Sequence, residues 1–151
     1  MEPTKDERTK ESRVIDKSAF VFPIHSFMEH RSASDGSRLY NYRWPATNAP
    51  RGVVCYFPGH NSSASKQGNI AKALADRGFD YIGMDYKGYG KSEGTKGVIS
   101  SLDELYDDCY QFFLLAKEFY KVKYPETKLP FFTYGNSLGC KVAIGVARKL
   151  H

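Results

Sequence analysis

The sequence lacks a long apolar run. Its longest uninterrupted apolar stretches, residues 53–57 and 112–116, are five residues each, whereas a helix that spans a bilayer needs about 20. The first 17 residues carry ten charges, five of each sign, and lack the apolar centre of a secretory signal. We therefore expect no transmembrane segment and a cytoplasmic protein, with peripheral contact to membranes left open.

The sequence also lacks paired cysteines and concentrated charge. Cys55, Cys109 and Cys140 are odd in number and have no CxxC spacing, so they predict buried thiols in apolar stretches and neither a disulfide nor a zinc site. The formal net charge of +5 is spread along the chain without a basic arm, which argues against nucleic-acid binding. No motif predicts a metal or another cofactor.

What the sequence does contain is 41% hydrophobic residues over 151 positions, enough to build the core of one globular domain. Residues 1–18 are dense in alternating charge and have no hydrophobic period, which predicts a solvated, disordered tail. We expect the folded part to extend from residue 19 to residue 151.

The folded part begins with a hairpin pattern. Extended stretches at residues 26–31 and 38–44 flank Ser34-Asp35-Gly36, and an Asp-Gly pair tolerates the positive φ of a tight turn. The pattern predicts two antiparallel strands.

Strand and helix patterns then alternate. The first predicted helix turns Ile70, Ala73 and Leu74 inward and ends at Gly78. The second begins at a capping box, in which Ser101 and Glu104 bond each other's main-chain N–H groups. Such alternation predicts an α/β fold with a mostly parallel sheet covered on both faces. The predicted strands are residues 53–57, 79–85 and 129–134, and the predicted helices are residues 65–77, 101–124 and 138–150.

The third of these strands leads into Gly135-Asn136-Ser137-Leu138-Gly139 and then into the last helix. Gly-x-Ser-x-Gly between a strand and a helix is the nucleophile elbow, in which a strained turn projects the serine hydroxyl above the sheet. Ser137 is therefore the predicted nucleophile. Leu138 at the helix N-terminus supplies one N–H for an oxyanion.

A second oxyanion donor is expected from the loop after the first buried strand. That loop reads Pro58-Gly59-His60-Asn61, and His60 is the residue predicted to supply its backbone N–H. A single imidazole in a loop is more often a surface or packing group than a catalyst, so no catalytic role is assigned to the side chain.

A third glycine-rich loop, residues 85–94, contains Gly90-Lys91-Ser92 and so resembles the end of a phosphate-binding P-loop. The P-loop requires glycine five residues before Gly90, where this chain has Asp85, and a carboxylate there would repel phosphate. We therefore predict a turn-rich loop beside the active site, without nucleotide binding.

These three features occur in an order that resembles the N-terminal half of an α/β hydrolase of the monoacylglycerol lipase and serine aminopeptidase S33 group. The resemblance covers about 130 residues, beginning near the hairpin. This chain departs from the family's pattern at two positions. Pro58 stands where the family usually has histidine, and Asn136 stands before the nucleophile, where the family often has histidine. Neither change removes an N–H from the predicted oxyanion hole.

The resemblance implies acyl transfer to Ser137 from an ester, with a lipid ester among the candidates, and a triad in the order Ser, then Asp or Glu, then His. After Ser137 the sequence has no acidic residue and only His151, which about 20 Å of helical rise separates from the elbow. The triad acid and histidine are therefore absent, and we expect no appreciable esterase turnover from the 151 residues alone.

Three explanations remain open. The chain is the N-terminal portion of a longer serine hydrolase, or a non-catalytic binding or regulatory remnant, or one part of an assembly in which a partner supplies the missing groups. Peptidase and thioesterase chemistry also remain open alongside lipase and esterase chemistry. A sheet that stops after the elbow helix exposes its last edge, where self-association or a partner is expected.

Overall fold

A computed structural model of the chain describes residues 23–150. The predicted charged tail lies outside this range, and so does His151. The strands are β1 (Ile24–His25), β2 (Asn41–Trp44), β3 (Gly52–Phe57), β4 (Phe79–Met84) and β5 (Phe131–Gly135), and the helices are α1 (Gly68–Ala75), α2 (Leu102–Lys123) and α3 (Leu138–Lys149).

The five strands form one mixed sheet in the order β1-β2-β4-β3-β5. Strand β3 is parallel to β4 and β5, while β2 is antiparallel to both β4 and β1. The predicted α/β fold, with a mostly parallel sheet and an N-terminal antiparallel pair, is confirmed. Because the three parallel strands end at one edge of the sheet, the loops that follow Phe57, Met84 and Gly135 lie at the same edge.

The N-terminal hairpin is displaced from its predicted position. The regular ladder pairs Ile24 and His25 with β2, whereas residues 26–31 contribute only a single bridge from Arg31 to Arg38. The side-chain amide of Asn41 makes the two hydrogen bonds that a paired strand would make to Met28. Its Oδ1 accepts from the Met28 N–H at 3.2 Å, and its Nδ2 donates to the Met28 carbonyl at 2.9 Å. The Asn41 side chain therefore fixes this segment together with isolated main-chain bonds, from the Ser26 N–H to the Asn41 carbonyl and from the Leu39 N–H to the His30 carbonyl.

Helices cover both faces of the sheet. On one face, α2 and α3 pack over a large apolar core that includes Cys55, Phe112 and Val142. On the other, α1 packs over a smaller cluster that is rich in aromatic rings and consists of Tyr42, Trp44, Tyr56, Ala64, Ala71 and Tyr81. In residues 23–150, no helix is long and apolar enough to cross a membrane.

Helix α1 is shorter than predicted and buries a different face. A 3-10 turn over Ala64–Gln67 precedes it, and its buried residues are Ala71 and Ala75. Ile70, predicted to face inward, is 39% exposed. The small alanine side chains let the helix approach the aromatic face of the sheet closely, which leaves Ile70 largely outside the contact, while Leu74 packs half-buried against the cluster.

The cap of α2 is only half of the predicted capping box. Ser101 Oγ accepts from the Glu104 N–H at 3.3 Å, as expected. The Glu104 carboxylate does not reach back, because it accepts instead from Lys87 Nζ at 2.5 Å and from Ser100 Oγ at 3.2 Å. A lysine that the fold brings near outcompetes the local partner.

The cysteine prediction is right at two positions and wrong at the third. Cys55 and Cys109 are buried, and burial raises the pKa of both thiols well above the ordinary value. Cys140 is exposed. It lies on the side of α3 next to β5, where no described element covers the helix.

Candidate active site

The turn between β5 and α3 has the geometry of a nucleophile elbow. Ser137 has φ +55° and ψ −119°, a conformation that side-chain-bearing residues rarely adopt. A Cβ at Gly135 would overlap the Gly139 carbonyl, and a Cβ at Gly139 would overlap the carbonyl of Phe57. Glycine is therefore required at both predicted elbow positions, because α3 begins in direct contact with the ends of two strands.

The N-terminus of α3 presents a free main-chain donor. Leu138 is the first residue of the helix, and its N–H is not donated to any group within residues 23–150. Ser137 itself is exposed. A helix N-terminus carries partial positive charge, so an oxyanion formed on Ser137 would lie in a favourable field.

The loop predicted to hold the second donor passes beside the elbow. A Cβ built at Gly59 would lie 3.4 Å from Ser137 Cβ and 3.1 Å from the Asn136 carbonyl oxygen. The next residue, His60, has an N–H that no group in the described part of the chain accepts. The structure thus brings the two loops together and leaves one unengaged N–H in each.

The glycine-rich loop after β4 is organised by the buried Asp85 carboxylate. Its Oδ1 accepts from Ser63 Oγ at 2.8 Å and from the Ala64 N–H at 2.9 Å, which anchors the far end of the His60 loop. Its Oδ2 accepts from Tyr42 Oη at 2.7 Å and from the Lys91 N–H at 3.0 Å. The N–H that a P-loop would offer to phosphate is therefore already engaged by a carboxylate.

Two tyrosines of this loop support the His60 loop. Tyr86 Oη donates to the Pro58 carbonyl at 2.6 Å, and burial raises the pKa of Tyr86 so that it stays a donor. Tyr89 Oη donates to the Gly97 carbonyl at 3.1 Å and lies 3.4 Å from His60 Nδ1. Sequence reasoning missed both residues, since their only signal was a position next to Asp85 and Gly88.

No base stands beside the serine in the described residues. Ser137 Oγ has no hydrogen-bond partner within residues 23–150, and the polar neighbour of the His60 imidazole is Tyr89. His30 is buried against the ring of Phe112. Across the same residues, no group of three or more His, Cys, Asp or Glu side chains is arranged to hold a metal ion.

A strained serine between a parallel strand and a helix, in a sheet of this order, defines the α/β-hydrolase class. Solved structures agree with that fold. A monoglyceride lipase from Saccharomyces cerevisiae superimposes with a TM-score of 0.66 at 23% identity, covering 76% of this chain and 37% of that one. A thermostable carboxyl esterase from Bacillus coagulans gives 0.63 at 21% identity, covering 80% and 38%.

Within that class, the family described as serine aminopeptidase, S33 matches residues 48–151, and the chain belongs to this family. Human monoglyceride lipase is 26% identical over 117 residues, which cover 78% of this chain and 37% of the relative. The uncharacterized protein YfhR of Escherichia coli K12 is 29% identical over 77 residues, 48% of this chain and 27% of the relative. The chain thus spans less than two fifths of the length of these relatives.

Proposed function

We propose that residues 19–151 are part of a serine hydrolase domain that cleaves carboxylic esters, with Ser137 as the nucleophile. The observation that carries the proposal is the strained backbone of Ser137 beside two unengaged N–H groups, those of His60 and Leu138. In the proposed reaction, Ser137 Oγ attacks the ester carbonyl and the alcohol leaves. The two N–H groups hold the oxyanion, and water then releases the acid.

Serine is a weak nucleophile without a base, so the proposal requires an acid and a histidine from outside residues 23–150. The lengths of the relatives support this, because more than three fifths of each has no counterpart in this chain. A longer chain is the favoured source, and a partner polypeptide is the other.

The proposed substrate is a small acyl ester, with a fatty acyl ester such as a monoacylglycerol as the first choice. The names of the monoglyceride lipases and the carboxyl esterase among the similar proteins support an ester. Peptides and thioesters are the alternatives. The proposed compartment is the cytosol, on the composition of the sequence, with peripheral contact to membranes where the substrate is a lipid.

A non-catalytic binding or regulatory role is the second candidate. One observation favours it, namely that Ser137 Oγ has no described partner while the only imidazole on the neighbouring loop, that of His60, has Tyr89 as its polar neighbour. A remnant of this kind would keep the elbow and its backbone strain without using the hydroxyl.

Butaneboronic acid tests the proposed nucleophile and oxyanion hole, because boron adds to a serine hydroxyl and forms a tetrahedral anion without full catalytic machinery. We expect the acid to shift the amide resonances of His60 and Leu138 in a ¹⁵N-resolved spectrum. Ser137→Ala should abolish both shifts, whereas Ser100→Ala, in the loop before α2, should preserve them. Unchanged His60 and Leu138 amides at saturating boronate would contradict the proposed oxyanion hole.

A further inference from the structure

The His60 loop is anchored at both ends and has few bonds between them. At one end Tyr86 Oη donates to the Pro58 carbonyl at 2.6 Å, and at the other the Ala64 N–H donates to the Asp85 carboxylate at 2.9 Å. Between these anchors, the three N–H groups of residues 59–61 are not donated to any group within residues 23–150. Something other than main-chain bonds of its own must therefore aim the His60 N–H.

The backbone is strained at the middle of this loop. Asn61, which follows His60, has φ +55°, in the left-handed region that residues with side chains rarely adopt. Such a conformation persists only where the surrounding contacts hold it. For residues 59–62, the one side-chain hydrogen bond in the described part of the chain joins His60 Nδ1 to Tyr89 Oη.

The Tyr89 hydroxyl has one hydrogen, and its position decides which imidazole nitrogen of His60 is protonated. Tyr89 Oη lies 3.1 Å from the Gly97 carbonyl oxygen, which can only accept, and 3.4 Å from His60 Nδ1. The shorter contact takes the hydroxyl hydrogen, so Tyr89 Oη accepts from Nδ1. From these two distances we infer that neutral His60 is the Nδ1–H tautomer, with its lone pair on Nε2.

Tyr89 is the fixed member of this pair. It is 4% exposed, its N–H donates to the Tyr86 carbonyl at 2.9 Å, and its own carbonyl accepts from the Ser92 N–H at 3.0 Å. His60, in contrast, is exposed. At 3.4 Å their bond is longer than the usual range of about 2.7–3.2 Å, and bonds at active sites commonly tighten when the ligand binds.

We propose that Tyr89 is a positioning residue for the proposed oxyanion hole and acts through the His60 imidazole. Tyr89 Oη accepts from Nδ1–H, which fixes the His60 side chain and, with it, the direction of the His60 main-chain N–H. The proposal rests on the proposed function, since it is the oxyanion that gives this N–H its role. The imidazole then serves to hold the loop and takes no part in proton transfer.

The tautomer of His60 is the most direct test. In a long-range ¹H–¹⁵N spectrum of the 151-residue chain at about pH 9, where imidazoles are neutral, His60 should carry its hydrogen on Nδ1. Tyr89→Phe removes the accepting oxygen, so the ring should change to the Nε2–H tautomer that free histidine favours. Tyr40→Phe, at a half-buried tyrosine outside this contact, is the control and should leave the His60 signals unchanged. An Nε2–H tautomer in the unsubstituted chain would overturn the proposal, and so would an unchanged tautomer in Tyr89→Phe.

Two substitutions of His60 separate its bond to Tyr89 from the bond between Tyr89 and Gly97. His60→Phe keeps a ring and leaves the Gly97 bond intact, but it has no N–H to donate. His60→Asn keeps a donor, because the amide nitrogen of asparagine lies about where imidazole Nδ1 lies. The ¹⁵N order parameters of residues 59–61 should fall in His60→Phe and in Tyr89→Phe and stay unchanged in His60→Asn. Order parameters that stay unchanged in all three variants, or fall as far in His60→Asn as in His60→Phe, would overturn the positioning role.

Butaneboronic acid connects the loop to the proposed oxyanion hole. We expect its dissociation constant to rise about fivefold in His60→Phe and in Tyr89→Phe, the factor that one neutral hydrogen bond contributes. In His60→Asn it should stay within about twofold. A dissociation constant that none of the three variants changes would overturn the proposal. Absence of boronate binding to the unsubstituted chain would contradict the proposed function, and the tautomer and the order parameters would still decide the role of Tyr89.

Discussion

Strand β4 and the residues packed around it, here called the closed region, are covered on all sides, whereas β5, the open region, has a described strand partner on one side only. On β4, the buried Asp80 carboxylate accepts from Arg43 Nε at 2.8 Å, from Tyr120 Oη at 2.6 Å and from the Ala46 N–H at 2.8 Å. On β5, Phe132 is half-exposed and the outer edge has no described partner. Strand β4 has hydrogen-bonded strands on both sides, whereas β5, which leads to the serine, has a described partner on one side only.

This difference shows how the site is divided between the two regions. The region around β4 supports the proposed oxyanion loop, through contacts from Asp85 and Tyr86 to the segment around His60. The β5 side supplies Ser137 and the free Leu138 N–H. The described residues therefore contain a strained serine beside a supported loop with a free His60 N–H, and they contain no acid or histidine next to that serine.

The largest expected contrast is in the stability lost when a buried phenylalanine of α2 and a half-exposed phenylalanine of β5 are each truncated. Phe113 is 2% exposed and packs on Phe131 with ring centroids 5.5 Å apart, whereas Phe132 is 49% exposed. We expect Phe113→Ala to lower the free energy of unfolding by about 3–5 kcal/mol. Phe132→Ala should lower it by less than about 1 kcal/mol. Urea denaturation at high dilution measures both, and equal losses would show that the β5 side is also covered.

The closed region also predicts a pH dependence. His30 is 2% exposed, neither ring nitrogen has a partner in residues 23–150, and burial lowers its pKa to about 4. The unfolded chain binds a proton near pH 6.5 that the folded chain excludes, so stability falls as the pH drops from about 6.5 to about 4. The full loss is about 3 kcal/mol.

His30→Leu isolates this contribution, because the variant cannot take up the proton in either state. We expect the difference in unfolding free energy between the two proteins to change with pH over that window. His25→Leu, at an exposed position on β1, should follow the wild type. Parallel stability curves for wild type and His30→Leu would contradict the assignment.

The order of strands and helices, and the place of the elbow, could be predicted because each rests on local signals. Hydrophobic period shows where elements lie, and the Gly135-to-Gly139 spacing needs only the turn itself. The wrong predictions concern residues whose burial or hydrogen-bond partner is set by groups distant in the sequence. The inward face of α1 depends on the aromatic sheet beneath Ala71, and the role of Glu104 depends on Lys87. The exposure of Cys140 depends on what covers β5, which no local pattern encodes.

The smallest predicted effect concerns how Tyr86 supports the proposed oxyanion loop. Tyr86→Phe removes the hydroxyl that donates to the buried Pro58 carbonyl, and an unpaired buried acceptor costs about 1–3 kcal/mol. The ¹⁵N order parameters of Gly59 and His60 should fall, whereas those of α2 should not change. Tyr40→Phe is the control, because the hydroxyl of that half-buried residue makes no hydrogen bond within the described residues. Unchanged order parameters at Gly59 and His60 would show that Tyr86 does not hold the loop.

The most direct test of a serine site without its own base is hydrolysis of p-nitrophenyl butyrate by the 151-residue chain. We expect turnover no greater than that of Ser137→Ala, because no acid or histidine stands beside Ser137 in residues 23–150. Turnover that Ser137→Ala abolishes would contradict this and would show that the chain itself supplies the base.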